Sequence, residues 1–322
     1  MNALENDLKD NLENKTFKVL VCIDGTDESY RGLRYAVRLG SGTDANITLL
    51  YVRSVDKDLH TDGLDMRMAR ENMLDWGLEM PGMAALKRGL DMLVDMDYMD
   101  RDWCSETSHV DIQGDPLGDN LVKYTCDDGR KVTLKLIVAP SPDLGILDES
   151  DLEDYDITIA SASDPEKENE LSISFTSSVT DRIATESRNT VIIAKALEEN
   201  HGHLVCLNGS KASLNTARTD AILANRCNCP ITLFSVASDA TEVPAAQAII
   251  DEAKNAIKAD GYEIAGEKIA IGDPVEEIIE EGKNYSLIVL SGEPKVGIRR
   301  FFKSSLIYQI LDQAQNSVLL SR

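Results

Sequence analysis

The stretch LIVLSGEPKVGIRRFFKSSLIYQILDQAQNSVLL, residues 287–320, decides the fold. Leu287 to Leu290 is an unbroken apolar run, the pattern of a strand covered on both faces of a parallel sheet. A loop follows with Gly292 and Gly297 and four bases, Lys295, Arg299, Arg300 and Lys303. Ser304 and Ser305 stand where a helix should begin. That helix is expected over 305–315, and 317–320 reads as a closing strand. Free backbone N–H groups and the helix dipole both favour an anion at such a start, and the basic rim adds to the attraction. The same pattern also serves as an ordinary strand–loop–helix connection.

This stretch has a twin. Ser304-Ser305-Leu306 echoes Ser177-Ser178-Val179, and Asn316-Ser317-Val318-Leu319 echoes Asn189-Thr190-Val191-Ile192, both 127 residues apart. Further upstream, Val205-Cys206-Leu207-Asn208-Gly209-Ser210 echoes Val21-Cys22-Ile23-Asp24-Gly25-Thr26, and 231–236 echoes 47–52, both 184 residues apart. Constant offsets in two separate blocks mean a tandem duplication. In the second copy strands are expected over 204–207, 231–236, 268–271, 287–290 and 317–320. Helices are expected over 214–225, 244–259, 275–282 and 305–315. Strands alternating with helices imply parallel strands joined by right-handed crossovers, and so an α/β layer fold. Ligands in such sheets bind beyond the carboxyl ends of the strands, which directs attention to the loops after Leu207 and Leu290.

The change of offset locates an insertion in the first copy. Matching Pro142–Leu147 with Pro274–Ile279 makes 131–139 the third strand and puts the insertion between the second and third strands, within about 56–130. Eight of the nine methionines fall in it, between Met66 and Met99. They either pack an enlarged helical layer or offer an adaptable contact face to a partner protein. Residues 121–138 read as a β-hairpin about the turn Asp127-Asp128-Gly129-Arg130. The expected organisation is an arm over 1–16, a first domain over 17–197, a linker over 198–203 and a second domain over 204–322.

Composition narrows the function classes. The 322 residues hold 56 acids against 33 bases, a net charge of −23. That excludes a general nucleic-acid binder and a protein of anionic membrane surfaces. No apolar run is long enough to span a bilayer and the N-terminal residues are polar, so a cytoplasmic chain is expected. The six cysteines are then expected to be free, with Cys22 and Cys206 inside buried strands. Cys227-Asn228-Cys229 with His201 and His203 matches no common zinc spacing, and both histidines read as solvated linker residues. No metal site is expected.

Residues 21–26 resemble the opening strand of universal stress protein domains. Asp156-Ile157-Thr158-Ile159-Ala160-Ser161 resembles that family's fourth strand, and 177–183 resembles the helix start after its phosphate loop. Residues 287–320 resemble the same region in the second copy. The resemblance covers about 17–195 and 203–322. It implies two tandem five-stranded parallel-sheet domains, three-layer α/β/α and Rossmann-like. It implies copies that pair as two single-domain subunits do, and stress-linked rather than metabolic roles.

Nucleotide-binding members resemble one pattern: an acid after the first strand, then G-x2-G-x9-G followed by Ser or Thr. In the first copy Asp24 keeps the acid, but Ala162 replaces the first glycine and the loop 163–170 carries four acids and one base. Each like charge repels a phosphate by roughly 1 kcal/mol at 4 Å in water, and by more when partly buried. Asp24 therefore marks a degenerate site. In the second copy Asn208 replaces the acid, Gly292 and Gly297 survive at altered spacing, and Ser304 replaces the last glycine. The candidate anion site comprises Asn208, Gly209, Gly292, Gly297, Arg299, Arg300, Ser304 and Ser305.

Two readings follow. The chain is a stress-response adaptor acting through protein contacts, with protein partners at the methionine-rich segment 66–99 and a homodimer as expectations. Alternatively it senses ATP or AMP through the second domain alone. No ordered nucleophile–base pair or adenylating signature is present, so catalysis is not expected.

Overall fold

A computed structural model describes residues 16–40, 45–54, 82–112, 115–162, 177–195, 202–292 and 306–322. In the first copy they form β1 (Lys18–Cys22), α1 (Asp27–Gly40), β2 (Asn46–Ser54), α2 (Met83–Asp95), β3 (Cys104–Ile112), β4 (Asp115–Thr125), β5 (Lys131–Ala139), α3 (Pro142–Leu152), β6 (Ile157–Ser161), α4 (Ser177–Glu186) and β7 (Thr190–Ala194). In the second they form β8 (His203–Leu207), α5 (Lys211–Arg226), β9 (Ile231–Ala237), α6 (Val243–Ala259), β10 (Gly266–Ile271), α7 (Pro274–Gly282), β11 (Leu287–Ser291), α8 (Leu306–Gln313) and β12 (Ser317–Ser321).

All twelve strands share one sheet, ordered β10-β9-β8-β11-β12-β7-β6-β1-β2-β5-β4-β3. Within each copy the parallel strands follow the same order, with the first strand central and the fourth beside it. The expected pair of tandem five-stranded α/β units is therefore what forms. The apolar runs alternate between faces as a pleat requires. Val19, Val21 and Ile23 join a core with Leu33 of α1, Leu86 of α2, Ala217 of α5 and Ile250 of α6. Leu20 and Cys22 join the opposite core with Ile146 of α3, Ile183 of α4, Ile278 of α7 and Ile310 of α8.

The copies meet through their last strands. β12 and β7 pair antiparallel, with Val318 opposite Ile193, Leu319 opposite Ile192 and Leu320 opposite Val191. Two edges that would otherwise recruit foreign strands thus close on each other. Lys195 reinforces the seam: its Nζ donates to the carbonyl oxygens of Leu311 and, at 2.7 Å, Ala314, at the carboxyl end of α8. A cation there complements the negative end of the helix dipole.

β4 and β5 form the expected hairpin, with Gly129 at φ +94° in the turn. Sequence reading missed β3, which pairs antiparallel with β4 and forms one outer edge of the sheet. The interval assigned to an insertion also contains α2, which follows the second strand just as α6 does in the other copy and packs on the same face. Of the eight clustered methionines, Met83, Met92, Met96 and Met99 are described, and all four pack into or against the core. The other four, with the arm 1–15, lie outside the described residues.

One expectation fails outright. His203 is not a linker residue. It opens β8, its N–H donates to the Pro230 carbonyl at 2.8 Å, and its side chain is fully buried. His201 lies outside the described residues.

Candidate nucleotide site

In the first copy the carboxyl end of β1 delivers Asp24 to the switch in strand order, where it is only 2 % exposed. Its Oδ1 accepts the Thr26 N–H at 2.9 Å and the Thr26 hydroxyl at 2.6 Å, forming an Asx turn. Its Oδ2 accepts the Ser161 hydroxyl from the end of β6 at 2.7 Å. Both carboxylate oxygens are thus engaged by the protein. Gly25, at φ +90°, permits the turn. The acidic loop 163–170 lies outside the described residues.

The second copy keeps the same turn with different chemistry. Asn208 Oδ1 accepts the Ser210 N–H at 3.0 Å, and the residue is exposed. Gly209 has φ +75°, which favours glycine, and a Cβ there would lie 2.9 Å from Ile249 Cδ1, so the isoleucine side chain would have to shift. Ser210 caps α5 by accepting the Ser213 N–H at 3.1 Å. Beside this helix start is a recess of about 250 Å³ lined by Leu207, Gly209, Ser210, Lys211, Ser213, Leu214, Ile249, Glu252 and Ala253. Asn208 and Gly209 therefore sit at the carboxyl end of a central strand beside an opening.

Gly292 ends β11 next to the same switch, but Arg322 covers it. The guanidinium donates from Nη1 to the Gly292 carbonyl at 2.8 Å and from Nη2 to the Ala184 carbonyl of α4, in the first copy. A Cβ on Gly292 would lie 2.8 Å from that Nη1. Burial pulls the Arg322 pKa down from its ordinary value. Sequence reading missed this cation; the only signal was a lone arginine after an apolar strand. Gly297, Arg299, Arg300, Ser304 and Ser305 lie outside the described residues, as do Lys295 and Lys303. The described part of the candidate site is thus Asn208 and Gly209 on one side and Gly292 on the other.

A model of the universal stress protein family matches residues 16–195. The chain belongs to the universal stress protein family. No curated protein matches it. Among solved structures, a universal stress protein from Archaeoglobus fulgidus DSM 4304 is similar over 96% of this chain and 99% of its own, with TM-score 0.58 at 14% identity. A functionally unknown protein from Pseudomonas aeruginosa PAO1 is similar over 97% of this chain and 94% of its own, with TM-score 0.57 at 14% identity. Both share the fold along nearly the whole length. The universal stress protein from Archaeoglobus fulgidus solved with dAMP aligns with 36% of this chain and 94% of its own, at 16% identity and TM-score 0.30. Among the described residues no helix is long and apolar enough to cross a membrane.

Proposed function

We propose that this tandem universal stress protein is a non-catalytic adaptor that acts through protein contacts, with a first copy closed to nucleotide. The observation that carries the reading is Asp24: buried, and with both oxygens already accepting from Thr26 and Ser161. A ribose or adenine would have to displace hydrogen bonds made in a dry site, where each replacement must match what it removes. The loss of the first glycine to Ala162 and the four acids of 163–170 point the same way. The outer strand β3 is exposed along almost its whole length, and an open edge of this kind suits a contact surface.

The recess beside Asn208 favours a second reading, in which the second copy alone takes an adenine nucleotide such as ATP or AMP. Asn208 would meet the ribose or base, and the basic loop with Gly297, Arg299, Arg300, Ser304 and Ser305 would meet the phosphates. Chromatography of the small molecules released when freshly purified protein is denatured separates the two readings. The adaptor reading expects no adenine nucleotide beyond trace. One nucleotide per chain favours the second copy as a sensor.

A further inference from the structure

The seam between the copies holds a polar cluster that neither functional reading uses. His203 opens β8 and is 0 % exposed, and Cys227 at the end of α5 is 8 % exposed. Asn228 takes φ +52°, a left-handed residue that ends the helix and folds the chain back. The Cys229 N–H then donates to the Ala224 carbonyl at 2.8 Å, returning a second thiol to the first. One ligand atom from each of His203, Cys227 and Cys229 lies within 4.8 Å of the other two.

We propose that His203, Cys227 and Cys229 form a zinc site. Two thiolates and one imidazole are the donor set of this borderline-soft ion. Donor atoms around tetrahedral zinc stand about 3.5–3.8 Å apart, given its bond lengths. Cys227 Sγ and His203 Nε2 are already 3.9 Å apart, so small side-chain rotations close the site.

The surroundings fit a ligand triad rather than an accidental cluster. Asp220, only 1 % exposed, meets His203 Nδ1 at 2.9 Å and 3.0 Å through its two oxygens. A proton held on Nδ1 by Asp220 would leave Nε2, the nitrogen that faces Cys227, to bind the ion, the outer-shell carboxylate arrangement of metal-bound histidine. Arg38 Nη2 donates to Cys229 Sγ at 3.2 Å. The two thiolates cancel the charge of the ion, and Arg38 offsets Asp220, so the loaded site is neutral within the interior. Tyr35 Oη lies 2.7 Å from Nε2. It yields that lone pair to the ion, and its hydroxyl or a water takes the fourth position.

The duplication argues against a structural requirement. At the offset of 184 the first copy carries Val19, Ala36, Thr43 and Ala45 in place of His203, Asp220, Cys227 and Cys229. The same fold thus stands without the cluster. Tyr35 and Arg38 come from α1 of the first copy and the three ligands from the second, so the site would lie against the first copy and be closed by hydrogen bonds from it. The assignment does not depend on either reading of the nucleotide site.

The test is titration of full-length protein, reduced and stripped with chelator, with Co2+ as a spectroscopic stand-in for Zn2+. One equivalent should bind, with a thiolate charge-transfer band in the near ultraviolet and tetrahedral bands in the visible, both abolished by added Zn2+. Cys229→Ser should remove most of the charge-transfer intensity and weaken binding at least about tenfold, while Cys104→Ser on β3 should change neither. Asp220→Asn should keep the spectrum and weaken affinity about 10–100-fold. Cys229 is only half-buried, so circular dichroism of its serine variant should show the wild-type fold. The proposal is overturned if folded wild type binds cobalt no better than Cys229→Ser. It is equally overturned by a 227–229 disulfide in protein kept reduced, or by tight Cu+ binding with Zn2+ and Co2+ refused.

Discussion

Ser161 donates its hydroxyl hydrogen to the Asp24 carboxylate at 2.7 Å, joining the ends of β6 and β1 across the switch in strand order. Ser161 is fully buried and Asp24 nearly so. The acid that the family pattern assigns to a ligand is here part of the scaffold. Asp24→Ala should therefore destabilise the fold by about 2–3 kcal/mol, because it strands the Ser161 hydroxyl and the Thr26 N–H. Urea denaturation measures this. A residue kept free for a ligand would show no loss of stability without that ligand.

Arg53 on β2 and Asp115 on β4 form an ion pair with side chains 9% and 3% exposed. Removing one partner leaves a buried charge alone, so Asp115→Asn should cost about 3–5 kcal/mol. The double variant Arg53→Met with Asp115→Leu should recover most of that, because the desolvation cost disappears with both charges. A double-mutant cycle in urea, with Arg53→Met and Asp115→Leu each made alone and together, reads the coupling. A double variant less stable than Asp115→Asn would mean the pair is worth more than its desolvation.

Lys195 makes stability depend on pH. Burial pulls its pKa from 10.5 to about 8. Between those values the unfolded chain binds more protons than the folded one, so this residue's contribution to stability rises with pH across the window, by at most about 1.4 kcal/mol per pH unit. Below pH 8 both states are protonated and the burial cost is paid in full. Lys195→Met should remove the slope, so the difference in stability between wild type and variant should change between pH 8 and 10. A difference that stays flat would place the ammonium in water rather than against Leu311 and Ala314.

Gly209→Ala should cost about 1–3 kcal/mol, since alanine at φ +75° is strained and its Cβ presses on Ile249. Gly129→Ala also stands at positive φ, +94°, but meets nothing within 4 Å. It should cost only the backbone strain. Thermal melting of the two variants separates strain from close approach.

The duplication and both five-stranded units were legible because the central strands, among them 204–207 and 287–290, are apolar runs buried on two faces. β3 was not legible. Its residues C-S-E-T-S-H-V-D-I are exposed almost throughout, so no core imprints a period on them. α2 was hidden for another reason: its methionines read as an insertion, although they fill the same layer as α6. The turn residues Asp24 and Asn208 were found, but the partner of Asp24 lies 137 residues away and sequence spacing cannot report it. His203 is hard to place from sequence because Asn200, His201 and Gly202 before it are polar or small, although the apolar strand starts directly after it. What buries it is Tyr35 from the other copy and Asp220 from the inward face of α5.

We infer that the nucleotide site of the first copy has been absorbed into the fold, with Asp24 held by Thr26 and Ser161. Calorimetric titration of the full chain with ATP and AMP tests it most directly, alongside Arg299→Glu, which disables the basic loop of the second copy. Binding should be no tighter than millimolar in wild type, or confined to at most one site per chain that Arg299→Glu abolishes. Micromolar binding that survives Arg299→Glu and vanishes on Asp24→Asn would contradict it.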